Sequence, residues 1–177
     1  MRKFNFPISG FWLLVSAVMA VGLTACGFHP LYGKFGNSSA DATFRSVYIE
    51  PIPERVGYQL RSNLLDLFNA PSEPAGTGYR LKIELKAEEK GLAVQQNAAV
   101  TRYTYHLTAH YQLTAARNGD VLKKGIVHSL TSYNVVQSPY ATVVADKDAQ
   151  DRAAQDVAER LRTELAVYFL NASETKP

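Results

Sequence analysis

The sequence predicts an α/β (α+β) two-layer sandwich, a four-stranded, mostly antiparallel sheet with two helices packed on one face. Three observations lead there. Residues 79–88 and 102–115 alternate apolar and polar side chains with a period of two, the pattern of strands buried on one face and wet on the other. Two other stretches, 55–69 and 151–171, carry apolar side chains at helical spacing. The elements run strand, helix, three strands, helix. A sheet wet on one side must be covered on the other, and the two helices are the cover.

Each element has its own signal. In "FRSVYIEPI", Val47 and Ile49 share a face, giving a short strand that Pro51 ends. "RVGYQLRSNLLDLFN" follows, with Val56, Leu60, Leu64, Leu67 and Phe68 on one helical stripe. "APSEPAGTG" is a loop with two prolines and two glycines. In "YRLKIELKAE" the inward row is Tyr79, Leu81, Ile83, Leu85 and Ala87. In "RYTYHLTAHYQLTA" it is Tyr103, Tyr105, Leu107, Ala109, Tyr111 and Leu113. Asn118-Gly119 marks a hairpin. A fourth strand is predicted over 121–136, with poorer alternation that points to a bulge near Gly125. "QSPYATVVA" reads as a loop, and Asp146, Asp148 and Asp151 as the acidic start of the last helix. Its stripe is Ala154, Val157, Ala158, Leu161, Leu165 and Tyr168.

The first 43 residues are of a different kind. Arg2 and Lys3 precede the apolar run "GFWLLVSAVMAVGL", and small residues then lead to Cys26, the one cysteine of the chain. This is the order of a secretory signal, and the run is too short to span a bilayer well. "Leu23-Thr24-Ala25-Cys26" resembles a bacterial lipobox. That resemblance implies a diacylglyceryl thioether on the Cys26 sulfur, cleavage before Cys26, and acylation of the new amine. Several acyl chains make an anchor stable where one is marginal. The predicted organisation is a signal peptide over 1–25, acylated Cys26 and a tether over 26–43, one domain over 44–171, and a disordered tail over 172–177. Gly27 stands where an aspartate would resemble an inner-membrane retention signal. The expected place is therefore the outer membrane, on its periplasmic side.

Composition excludes several function classes. Removing residues 1–25 leaves 17 Lys and Arg against 16 Asp and Glu, so the overall charge gives no sign of nucleic-acid binding. A lone cysteine makes no internal disulfide, so packing must carry stability. None of the common hydrolase, zinc-protease, P-loop or dinucleotide motifs is present. His106 and His110 share a strand face but stand about 13 Å apart, too far for one metal ion. Glu84 and Glu88 are equally far apart and alternate with Lys82 and Lys86, the look of a solvated charged face. No enzyme, cofactor or metal is expected beyond the lipid on Cys26. Two apolar segments with cations remain: "EEKGLAVQQNAAVTRY", flanked by Lys90 and Arg102, and "SPYATVVADKD", ending near Lys147. Such segments suit a ligand with acyl chains and phosphates, or a partner protein.

Taken in order, the lipobox with "CGFHPLYG", the strand "RYTYHLTAHYQLT", the turn "NGDVLKKG", the ending "TSYN" and the helix "ADKDAQDRAAQDVAERLRTEL" resemble the LptE family of lipopolysaccharide-assembly lipoproteins. The "CGFHPLYG" form is similar to the alphaproteobacterial branch. The resemblance implies a domain that plugs and helps assemble the LptD β-barrel translocon of the outer membrane, and that binds lipopolysaccharide. It implies cations near the second hairpin and before the last helix. Lys147 matches the second position. At the first, Gln96 stands where some members have arginine, leaving Lys90 or Arg102 to substitute. Two other readings of the residues are a general envelope lipoprotein acting as adaptor or chaperone without lipid binding, and a lipoprotein hydrolase.

Cys26 is expected to be the first residue of the mature protein and to carry acyl chains. Mass spectrometry of the N-terminal peptide checks this, and an intact 1–25 segment or a free Cys26 thiol would contradict it.

Overall fold

The computed structural model describes residues 39–73, 78–94, 100–135 and 138–174. Cys26, the signal segment and Gln96 lie outside the described residues. Within them the order is α1 (Ser39–Phe44), β1 (Val47–Ile49), α2 (Glu54–Phe68), β2 (Tyr79–Val94), β3 (Val100–Ala115), β4 (Val121–Asn134) and α3 (Pro139–Glu174). The four strands form one sheet in the order β1-β2-β3-β4. β1 runs parallel to β2, and the other pairs are antiparallel. The predicted α+β sandwich is the fold observed.

Period-two alternation decides which face is buried. Leu81, Ile83, Tyr105, Leu107, Ala109, Tyr111, Leu113 and Val127 point into the core from the sheet. Val56, Leu60, Leu64 and Phe68 of α2 and Ala154, Val157, Ala158, Leu161 and Leu165 of α3 meet them. Each fully buried leucine contributes about 1.5–3 kcal/mol by leaving water. Alanines at 149, 153, 154 and 158 are all fully buried, and their small side chains let α3 lie close against its neighbours. Asn69, in the left-handed region at φ 49°, ends α2.

Several boundaries differ from the sequence reading, among them the end of β4, which falls at Asn134 rather than residue 136. Residues 39–43, read as tether, belong to α1, because Phe44 is drawn into the core within 4.5 Å of the Phe68 ring and 5.4 Å of the Phe169 ring. β2 and β3 run on to Val94 and from Val100, past register shifts after Gly91 that hide the alternation. α3 starts at Pro139, so "PYATVVA" is helix and not loop. Ser138 caps it, its Oγ accepting from the Ala141 amide at 3.4 Å, with proline in the first helical position. The helix then runs to Glu174, taking in residues 172–174 that read as tail.

Gly125 is not bulged. It pairs in register with Tyr111, and the irregularity in β4 falls between Val121 and Lys123. A Cβ on Gly125 would lie 2.6 Å from the Tyr111 hydroxyl, so the glycine leaves room for the tyrosine to lie across β4. From there the phenol donates to Glu164 Oε2 at 2.5 Å, tying the sheet to α3.

Leu161→Ala should destabilise the domain by about 2–5 kcal/mol, the range for a buried leucine truncated in a packed core. Urea denaturation measures it. A change near the ±0.5 kcal/mol of surface substitutions would contradict the packing of α3 on the sheet.

Candidate functional site

The site begins with a mismatch of lengths. β2 and β3 each have 16 residues, about 53 Å at 3.3 Å per residue, and α3 has 36, about 54 Å. α2 has only 15 residues, about 22 Å. It therefore covers one half of the sheet. The effect is visible along the inward row of β2, where Leu81 and Ile83 are buried, Leu85 is half-buried, and Ala87 and Glu89 are exposed. At that end the sheet projects beyond α2, and only α3 accompanies it.

Aromatic and carboxylate side chains line the helix-facing side of this end. Tyr103 and Tyr133 stack with ring centroids 5.7 Å apart, and the Tyr133 hydroxyl donates to Glu89. Burial first, then this bond and the Glu89 charge, push the Tyr133 phenol well above its usual range. Tyr105 is raised too, by burial and then by Asp146. Arg55 clamps α2 to α3, donating to Asp151 at 2.8 Å and Gln150 at 2.7 Å, with a longer contact of 3.5 Å to the Lys147 carbonyl. The first turns of α3 expose Tyr140 (79%), Val143 (51%) and Val144 (48%). Spaced i, i+3 and i+4, they form one apolar stripe open to water.

The structure divides the three predicted cations between two faces. Lys90 and Arg102 lie on the open face of the sheet, opposite the helices. Lys90 pairs with Thr104, two residues from Arg102 on β3, so the two cations are diagonal neighbours about 7–8 Å apart at the backbone. Lys90 Nζ also lies 3.4 Å from Glu88, whose carboxyl is held below its usual range by bonds from Lys86 and Lys90. Lys147 is exposed on α3, across the sheet from both. It is the ninth residue of that helix rather than a residue before it, so free helix-terminal amides do not assist it. The acids read as a helix start serve as side-chain partners instead, Asp148 to Arg152 at 2.9 Å and Asp151 to Arg55.

Sequence reasoning missed the tyrosine stack and the Arg55 clamp, because each joins positions brought together by folding. It could have found the start of α3 in Ser138-Pro139, a cap followed by a proline suited to the first turn. Among the described residues no group of three His, Cys, Asp or Glu could hold a metal ion, and no helix is long and apolar enough to cross a membrane. The arrangement offers apolar and aromatic surface beside separated cations, a binding surface by its chemistry.

Comparison with solved structures defines the class of fold first. A protein described as a lipoprotein of Caulobacter crescentus CB15 superimposes with a TM-score of 0.58 at 26% identity, over 73% of this chain and 94% of its own. The rare lipoprotein B of Shewanella oneidensis gives 0.56 at 14% identity, over 72% and 97%. A minor lipoprotein of Acinetobacter baumannii gives 0.57 at 14%, over 70% and 92%. An uncharacterized protein of Rickettsia prowazekii is 25% identical over 148 residues, 84% of this chain and 91% of its own. The family model described as "LptE: Lipopolysaccharide-assembly" matches residues 44–166. The chain belongs to the LptE family of lipopolysaccharide-assembly lipoproteins.

The raised Tyr133 phenol has a pH consequence. The folded state holds its proton while the unfolded chain releases it near pH 10, so stability is lost as pH rises above about 10. Tyr133→Phe should flatten part of that alkaline fall, leaving the shares of Tyr105 and Tyr111. Denaturation midpoints at pH 8 and 10.5 measure it, and identical slopes in both proteins would contradict the raised phenol.

Proposed function

We propose that the protein is anchored by Cys26 in the outer membrane, plugs and helps assemble an LptD-type β-barrel, and binds lipopolysaccharide during its insertion. The observation that carries this reading is the family match across residues 44–166, nearly the whole folded domain. Physics supports it. A barrel wide enough to pass a glycolipid leaves an aqueous lumen that something folded must fill. A sandwich with one wet, charged sheet face suits a polar barrel interior. The acyl anchor keeps it at the bilayer and raises its effective concentration beside the barrel.

For lipid, the extended end of the sandwich is the proposed site. Tyr140, Val143 and Val144 offer apolar surface to acyl chains, and Lys90, Arg102 and Lys147 offer charge to phosphates. Lys147 contends with Asp146 and Asp148 beside it, while Lys90 and Arg102 stand together on the open face. The Lys147 and Arg102 contributions are therefore independent, as for sites without shared partners.

Arg102→Ala and Lys147→Ala should each weaken binding of labelled lipopolysaccharide to the domain lacking its anchor, and the double variant should weaken it by the product of the two. Binding should also fall as salt rises, since exposed charges are screened over about 10 Å at 0.1 M. Unchanged binding in the double variant would remove the lipid site. A mild-detergent pull-down of the full chain from outer membranes tests the barrel separately, and recovery of no β-barrel partner would return the protein to the adaptor reading.

A further inference from the structure

The described domain separates its charges by face. The open side of the sheet presents six cations, Arg80, Lys82, Lys86, Lys90, Arg102 and Lys124, against three carboxylates, Glu50, Glu84 and Glu88. α2 and α3 together carry nine carboxylates against six cations. The mature chain is almost neutral, so folding, not composition, produces the difference. Strand register arranges it. Lys82, Gln112 and Lys124 align across β2, β3 and β4, and Lys86, Thr108 and His128 form a parallel row.

The carboxylates on this face are already engaged. Glu84 holds Lys82 at 2.8 Å, Glu88 takes both Lys86 at 3.0 Å and Lys90 at 3.4 Å, and Glu50 takes Arg80 at 3.4 Å. Among the described residues no carboxylate lies within 4 Å of Lys124 or Arg102. Exposed ion pairs contribute only about 0–1 kcal/mol each, so fold stability does not explain the excess of cations. A shallow hollow of about 350 Å³ opens on this face between Lys82 and Lys124, floored by Gln112. Beside it, Ile126 is 56% and Leu130 60% exposed on β4.

We propose that this open face docks on a carboxylate-rich protein surface, with Lys82, Lys86 and Lys124 meeting its acids and Ile126 and Leu130 packing at the margin. Charge complementarity names the occupant. The cations stand in a spaced grid with Glu84 and Glu88 between them, which suits separate protein carboxylates better than a dense phosphate layer that would repel both glutamates. The size is adequate as well. Three strands over Arg102–Thr114 cover about 600 Å² in flat projection, near the ~800 Å² per partner of a standard interface. The proposal deepens the barrel reading and rests on it only for the identity of the partner, the lumen wall.

The test is site-specific photocrosslinking of the full chain in its own envelope, with p-benzoylphenylalanine at Thr108 on the open face or at Gln155 on α3. Thr108 should capture a protein whose mapped peptide carries Asp or Glu. Capture should fall about tenfold or more in K82E/K86E/K124E, and also with rising salt. Lys124→Glu alone, which breaks no ion pair, should lower it in the same direction and guards against misfolding of the triple variant. Asp148→Lys with Glu159→Lys should leave it unchanged. Absence of a protein crosslink at Thr108, capture of lipid there instead, or capture indifferent to the lysine reversals would overturn the proposal. Capture of the barrel from Gln155 alone would overturn it and leave the barrel reading standing. A Thr108 partner with acidic contacts that is not a barrel would uphold the docking face and remove the barrel reading.

Discussion

Everything in this domain depends on burying one face of the long β2–β3 ladder, while on the other, among the described residues, only Thr104 is buried. Period-two alternation makes that face continuous from Leu81 to Leu107. A one-residue slip would put Tyr105, Leu107, Tyr111 and Leu113 into water and the charged row into the core. Register is therefore strongly determined, and the helices have a single surface on which to pack. Tyr111 adds a directional tie, crossing the space left by Gly125 to reach Glu164. The bond joins a central strand to α3 where packing alone is non-directional.

The same ladder explains why one end of the sandwich is left uncovered. Antiparallel strands can grow outward through backbone pairing after the helix cover has ended. α2 stops short, and the inward row changes from buried leucine and isoleucine to Ala87 and Glu89. Tyr103 and Tyr133 fill part of the gap by stacking on each other. α3 continues past α2 and leaves Tyr140, Val143 and Val144 without cover. Surface that a self-contained fold would bury is left available at this end, as the proposed lipid site would require.

The other face differs in its charge. A wet sheet face requires only polar side chains, yet this one carries more cations than carboxylates while the helix layer carries more carboxylates than cations. His106 faces Glu88 and His110 faces Glu84, so even the histidines that resemble a metal pair in the sequence act as members of cross-strand rows. The proposed lipid site and the charged face share Lys90 and Arg102. A lipid held at that end and a protein docked on the face would therefore lie next to each other, as the proposed plug beside a glycolipid path would need.

Local pattern was legible in the sequence, and relation between distant segments was not. The alternation of 79–88 and 102–115, the stripes of both helices, the wet face and the family likeness are properties of neighbouring residues, and they determined the sandwich. The start of α3 was misread because its local signal, the Ser138-Pro139 cap, was passed over for the acids further on, whose partners only folding reveals; Asp148 binds Arg152 and Asp151 reaches Arg55, 96 residues away. The cations at 90, 102 and 147 were visible as residues, but nothing local says that two stand on one side of a sheet and the third on the other. Only the tertiary structure decided that, along with the stacked tyrosines and the charge carried by each face. Periodicity is a property of one segment, whereas register and layer are set by which segments pack together.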